Sequence, residues 1–548
     1  MRELEDALLK EVFRRRESSR EMSLLDALTD LTGEDRETAL ELLGQKFGME
    51  TVNLSFFPVD PEAVAMLPKE LALRCEAVAI YFEEDSLCVA VADPLDYQAM
   101  GEVRAVLEMP VTLLLADERG IRETIEACYS ERDAKWAAME MRKKPDAAGR
   151  GREDREEGAQ APVVKLLNNL LLRGYSANAS DIHVEPSDQE TEVRMRVDGM
   201  LLPYVSLPKA AHPALIARIK IMSGLDVANK RCPQDGHCRA ELDGVSLNLR
   251  ISILPTIHGE KAVLRFLTTS GVIDHEERFG MDEENAALFE RMLSYPHGII
   301  YLTGPTGSGK TTTLYLALAR LAGRNINIST IEDPVEKSLK GINQTQVNRA
   351  AGLTFENGLR ALLRQDPDVM MVGETRDSET AKISARAALT GHLVLSTLHT
   401  NDAVSSIVRL RDMGLLDYLI ANTVIGVVAQ RLVRKLCPNC AEEYEADEEA
   451  CRLLGVDAAV LRRSAGCHLC GNTGCKGRIA VHEILILDKQ LRKMVVDRAP
   501  MEELYRYAVD VQNMKSLRAR MRELVLMGVC GIEEYLKIAY ELEFLYEI

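Results

Sequence analysis

Apolar residues change their spacing repeatedly along this 548-residue chain, and each change marks an element. Gly298-Ile299-Ile300-Tyr301-Leu302-Thr303 is an apolar run that predicts a strand, and Leu314-Tyr315-Leu316-Ala317-Leu318-Ala319 predicts the helix after it. Asn327 to Ile331 predicts a further strand, Asp366 to Glu374 contains another, and His392 to His399 encloses one more. Repeated strand–helix units of this kind argue a mostly parallel sheet covered by helices. Ahead of them, Val163 to Leu172 reads as an amphipathic helix, Glu192 to Val197 and Gly244 to Ile251 as strands, and Pro213 to Met222 as a helix. Nearer the start, Glu21 to Phe47 predicts two helices parted at Thr32-Gly33-Glu34-Asp35, and Leu87 to Ala92 and Val111 to Leu115 predict strands. Beyond about residue 431 the chain is expected to be largely helical.

Periodicity lapses at Lys143 to Arg152, a stretch rich in glycine and charge that reads as a solvated linker. Net charge is -18, which argues against general nucleic-acid binding, because each phosphate contact needs a lysine or arginine. No run reaches the 18 or so apolar residues of a membrane span, and the first residues lack a secretory apolar segment. A cytoplasmic protein is expected, with a peripheral membrane address left open. Of twelve cysteines, four fall into two Cys-x-x-Cys pairs, and most of the others read as small buried hydrophobes.

The apolar strand at 298–303 and the helix after it flank Gly304-Pro305-Thr306-Gly307-Ser308-Gly309-Lys310-Thr311-Thr312. Strand, glycine-rich turn and helix in that order make a phosphate-binding loop. Its glycines let backbone N–H groups curl around phosphate oxygens, with the helix N-terminus behind them. Gly304, Thr306, Gly307, Ser308, Gly309, Lys310, Thr311 and Thr312 are therefore the nucleotide-binding candidates, Lys310 for the β- and γ-phosphates and Thr311 for Mg²⁺. Hydrolysis also needs a positioned water. Glu374, the carboxylate that ends the strand within Asp366 to Glu374, is the candidate for activating or orienting it, with a residual role in Mg²⁺ binding and a surface helix cap as the alternative. Glu332, ending the strand at 327–331, is the candidate for holding the metal through water or polarising the attacking water. His399 is read either as structural or as a sensor of the γ-phosphate.

Cys437-Pro438-Asn439-Cys440 and Cys467-His468-Leu469-Cys470 have the spacing of two knuckles for a tetrahedral Zn²⁺ site, with buried thiols or a redox pair as the alternative. Four cysteines would leave no open position, so the metal would be structural. Cys475 lies outside the pair spacing. Four strand arginines, Arg194, Arg196, Arg250 and Arg265, read either as a solvated face or as ligands for a phosphate of a neighbouring subunit.

Several segments in order resemble the secretion ATPase family, specifically the assembly ATPases of type II secretion systems and type IV pili. They are Ala179 to Pro186, Arg194 to Gly199, Pro233 to Gly236, Leu254 to Lys261, Thr330 to Glu336, the segment ending at Glu374, and Thr390 to Asp402. The expected fold class is α/β: a RecA-like P-loop domain over 273–430, preceded by a PAS-like α/β lobe over 161–272. A docking or regulatory domain over 1–132 and a flexible linker over 133–160 come first. A tetracysteine subdomain over 431–485 and a helical region over 486–548 come last. The resemblance implies a Mg²⁺-dependent ATPase working as a homohexamer, with ATP between two lobes and Arg250 and Arg265 approaching the triphosphate. It implies an inner-membrane platform protein as partner, at the cytoplasmic face, and leaves room for a docking protein on the N-terminal domain. The long N-terminal domain and the cysteine insertion favour filament assembly over retraction. A nucleic-acid translocase is the alternative from another class. Where the family commonly has Thr-Gly-Tyr, this chain has Thr473-Gly474-Cys475. The N-terminal region resembles part of a module that binds a cyclic dinucleotide, without that module's Arg-Leu-Gly signature.

Overall fold

Burial alternates along the strands at 190–197, 245–256 and 259–266 and is continuous along those at 298–303, 328–332, 369–372 and 393–397, which separates a sheet covered on one face from a sheet covered on both. The computed structural model describes residues 6–129 and 152–543, apart from 19–22, 34–35, 55–56, 58, 84–85, 123, 126–127, 243, 268–275, 468–469 and 471–472. It divides into two compact units, Met1–Ser270 and Gly271–Ile548.

In the first unit, helices Asp6–Ser18, Leu24–Thr32 and Arg36–Phe47 close on Val12, Leu25, Leu28 and Leu43. Ser23 starts the second of these, its hydroxyl accepting the Asp26 N–H at 3.0 Å, and Gly33 ends it in the left-handed region at φ 69°. Strands β1 (Ala77–Glu83), β2 (Ser86–Val91) and β3 (Val111–Leu115) form a small sheet, with helix Tyr97–Leu107 crossing between the parallel pair β2 and β3.

Helix Arg152–Ser176 follows. It takes in residues 152–160, where a linker is expected from composition. Glu, Arg, Ala and Gln are good helix formers. The rest of the expected linker, 133–151, lies outside the described residues. Next come β4 (Asp181–Pro186), β5 (Glu190–Val197), β6 (Met200–Pro208), β7 (Gln234–Leu242), β8 (Val245–Thr256) and β9 (Gly259–Phe266). They form one antiparallel sheet in the order β6-β5-β4-β9-β8-β7. Its apolar face, including Ile182, Val184, Val193, Leu249, Ile251 and Leu264, shares a core with Leu167, Leu171, Leu215 and Ile219 of two helices.

The second unit is built on β10 (Gly298–Thr303), β11 (Ile328–Glu332), β12 (Asn343–Gln346), β13 (Val369–Val372), β14 (Leu393–Thr397), β15 (Val424–Leu436) and β18 (Cys475–Ile486). Their order is β12-β11-β13-β14-β10-β15-β18. All neighbours run parallel except β18, which is antiparallel to β15. Between β15 and β18 lies an insertion that carries the cysteine pairs and a small hairpin-like sheet of β16 (Ala441–Glu445) and β17 (Val460–Ser464). Residues 431–486 therefore hold strands where helix is expected. The run Val424-Ile425-Gly426-Val427-Val428-Ala429 is buried on both faces, and a continuous apolar run carries no period that tells strand from helix. Helices return at Lys489–Val496, Met501–Asp510, Leu517–Leu526 and Ile532–Glu543. Among the described residues no helix is long and apolar enough to cross a membrane.

In the antiparallel lobe, Lys220 is 1% exposed, 2.7 Å from the Glu260 carboxylate and bonded to the Asn229 carbonyl at the same distance. Replacing it alone strands a buried carboxylate. Lys220→Met should cost about 3–5 kcal/mol in urea unfolding, and adding Glu260→Leu should recover most of that loss.

Candidate active site

Every residue of β10 is buried, and the chain leaves it through a loop whose turns only glycine accommodates. Gly304 has φ 142°, and a Cβ there would lie 2.4 Å from the Gln430 carbonyl oxygen on β15. Gly309 has φ 85°, and a Cβ there would meet the Gln430 side chain at 2.8 Å. The loop is thus pressed against β15. Gln430 also accepts the Thr313 hydroxyl at 2.9 Å, and Arg431 donates to the Asn401 carbonyl at 2.8 Å.

Helix Lys310–Ala322 starts at Gly309 without a capping side chain, so its first N–H groups point at the loop free of one. The Ser308 hydroxyl is buried and has no hydrogen-bond partner in the protein. Lys310 folds over the loop and donates to the carbonyls of Gly304 and Pro305 at 2.7 and 2.9 Å. Burial, then the Arg431 charge, pulls the Lys310 ammonium down to about 8. Thr306, Gly307 and Thr312 are exposed, and Thr311 is half-buried at the second helical position. Backbone donors, an orphaned hydroxyl and a desolvated ammonium together fit a polyphosphate.

Glu374 follows β13, its carboxylate 2.7 Å from Arg376 and 3.8 Å from the His399 ring. Lys310, Glu374 and His399 follow the carboxyl ends of β10, β13 and β14, parallel neighbours in the sheet, so the three arrive at one edge. Burial first and Lys310 second push His399 below the ordinary histidine range, so its ring is neutral at pH 7. The segment before His399 is pinned from both sides: Thr397 donates to the Gly373 carbonyl at 2.7 Å, and the Thr400 N–H donates to Thr303 at 2.8 Å.

Glu332 ends β11 with only 3% exposure. One carboxylate oxygen accepts Thr330 at 2.5 Å and Gln344 at 3.1 Å, and the other accepts the Tyr315 hydroxyl at 2.5 Å. Hard oxygen donors at Thr311, Glu332 and Glu374 are of the kind Mg²⁺ takes. His392 sits at the opposite end of β14, bonded to the Ala387 carbonyl at 2.9 Å, and has no part in this group.

Arg250 and Arg265 belong to the first unit, directly opposite each other on β8 and β9. The cross-strand register continues from Arg196 through Asp181 to Arg265, Arg250 and His237, a row on one face of the lobe sheet. Arg265 is half-exposed and donates to Asp181 at 2.7 Å. Gln430, Arg431, Thr303 and Tyr315 are the participants that motif spacing does not reveal, since each is joined to the site only by folding.

The sulfurs of Cys437, Cys440, Cys467 and Cys470 all lie within 4.8 Å of one another. Three of the separations are 3.8, 3.9 and 3.8 Å. Four thiolates at about 2.3 Å from one tetrahedral Zn²⁺ would stand about 3.8 Å apart, so the donor set fits a metal. The Cys467 and Gly474 N–H groups each donate to the Cys470 sulfur at 3.2 Å, the support a thiolate needs. Cys475 is not among the four.

A phosphate loop at the carboxyl edge of a parallel sheet, with a carboxylate after a neighbouring buried strand, defines a P-loop nucleoside triphosphatase. The chain belongs to the type II/IV secretion system protein family, whose model matches residues 156–537, and an MshEN domain model matches residues 47–135. It is 41% identical to the type IV pilus assembly ATPase PilB of Thermus thermophilus over 91% of this chain and 57% of that one, so it spans little more than half of that relative. It is 37% identical to the type II secretion system ATPase E of Vibrio cholerae over 88% of this chain and 98% of that one. The Legionella pneumophila ATPase DotB, at 22% identity and a TM-score of 0.51 over 68% of this chain and 95% of that one, shares the fold. Kinship at this level makes the protein an ATPase of the secretion and pilus-assembly class.

With the Lys310 ammonium pulled down to about 8 in the free site, phosphate binding above that pH must be accompanied by proton uptake, because phosphate holds the ammonium form. ADP affinity in a titration series should therefore weaken above about pH 8, by up to about tenfold per pH unit, whereas Lys310→Arg should flatten the profile.

Proposed function

We propose that the chain works as a homohexameric motor that hydrolyses ATP to ADP and phosphate and drives assembly of a type IV pilus or a type II secretion pseudopilus. The observation that carries this reading is the convergence of Lys310, Glu374 and His399 at the sheet edge beside the phosphate loop. Loop N–H groups and Lys310 offset the charge of the β- and γ-phosphates. Thr311, with Glu332 behind it, would hold Mg²⁺, whose charge neutralises the leaving phosphate. Glu374 accepts a hydrogen bond from the attacking water and orients it in line with the γ-phosphate. His399, bridging toward Glu374, senses the loss of that phosphate and passes it to the strand end at Thr400.

Arg250 and Arg265 would reach the triphosphate of a neighbouring subunit, where guanidinium forks suit the transferring phosphoryl group. The pairing of Arg250 opposite Arg265 on one sheet face supports that reading. The motor would act on an inner-membrane platform protein from the cytoplasmic face, with residues 1–132 as the docking or regulatory part. The cysteine cluster would hold a structural Zn²⁺.

Glu374→Gln should keep ATP binding and lower turnover by at least about a hundredfold in a phosphate-release assay. Elemental analysis should find one zinc per chain, lost when Cys437 and Cys440 are both replaced by serine. Parent-like turnover in the first variant, or metal-free protein purified under reducing conditions, would overturn the respective assignment.

A further inference from the structure

Tyr315 lies one helical turn beyond Thr311 on the helix that follows the phosphate loop, so the two share a face. Long side chains on a helix lean back toward its N-terminus, which carries the Tyr315 ring over the turn that starts at Thr311. The ring is buried among Ile328, Val369 and Leu395 of the sheet, in the core that the helix covers. Only its hydroxyl meets polar groups. It donates to the Glu332 carboxylate at 2.5 Å and accepts the Glu336 N–H at 3.1 Å.

That hydroxyl therefore joins three things: the helix of the phosphate loop, the carboxylate at the end of β11, and the backbone just after it. Glu332 has little freedom left. Thr330 and Gln344 occupy one of its oxygens, and Tyr315 is the partner of the other. Burial holds the Tyr315 phenol well above its ordinary range, so it stays a donor. A buried carboxylate held this way faces a fixed direction, whereas one lacking the phenol would be free to turn about its last bond.

We propose that Tyr315 is a positioning residue for metal-dependent nucleotide binding. Its hydroxyl holds the Glu332 carboxylate in the orientation that serves the hydrated Mg²⁺ next to Thr311. The inference rests on the roles given above to Thr311 and Glu332.

Tyr315→Phe removes one oxygen and keeps the ring. ADP binding is measured by calorimetry on the purified chain, with and without Mg²⁺, together with steady-state turnover. The expected result is an unchanged metal-free ADP affinity, a gain from Mg²⁺ reduced about tenfold, and a similar fall in kcat with little change in KM. In a Glu332→Gln background, Tyr315→Phe should have no further effect. A parent-like Mg²⁺ gain in Tyr315→Phe, with the gain lost in Glu332→Gln, overturns the positioning role alone. A parent-like gain in Glu332→Gln overturns the assignment of Glu332 itself. Equal loss of metal-free and metal-dependent affinity in Tyr315→Phe also overturns the proposal, because the phenol would then serve packing only.

Discussion

Parallel pairing of β10 between β14 and β15 is the constraint from which the site follows. In a parallel sheet every carboxyl end lies on the same edge, so residues distant in sequence arrive together without any contact of their own. Thr303, Gly373 and Thr397 reach that edge in register, and the hydroxyls of Thr303 and Thr397 stitch neighbouring strand ends to each other. Lys310, Glu374 and His399 are carried there by the same geometry. Shifting β14 by one residue would break its register with both β10 and β13 and carry Thr397 away from the Gly373 carbonyl.

The edge is electrically unbalanced in favour of anions. Lys310 and Arg431 are close enough for the second to disfavour the charge of the first, and Glu374 offsets only part of it. The loop carbonyls of Gly304 and Pro305 solvate the ammonium at a surface that excludes most water. A polyphosphate relieves this imbalance, which is how a site can gain both affinity and a preference for charge-dense ligands from groups already desolvated by folding.

Much of this was legible because the chemistry needs local spacing. The glycines and Lys310 sit within one turn, each cysteine knuckle within four residues, and Glu374 directly after an apolar run. The segments that sequence misjudged are those whose structure depends on distant partners. β15 continues past residue 431, where helix is expected, because β18 supplies hydrogen bonds to Arg431 and the residues after it. β18 looks like part of a cysteine-rich appendage, yet it completes the nucleotide-binding sheet. Gln430 and Tyr315 carry no motif, and their roles appear only when β15 and the helix after the loop are packed. Residues 152–160 erred in the opposite sense: their charge suggested a solvated linker, while their helix propensity extended the neighbouring helix.

β15 and β18 form a long two-stranded ribbon that ordinarily would be closed by a tight turn. Here the two strands are joined through an insertion, and the ribbon's far end is bracketed by Cys437 just after β15 and Cys470 just before β18. A metal held by the four sulfurs would clasp the two strands beyond Arg434, where Glu534 of the last helix also grips the chain. Midway along the same ribbon, Gln430 is pressed against Gly304. Such a clasp would steady, through a few residues of one strand, the surface on which the phosphate loop rests.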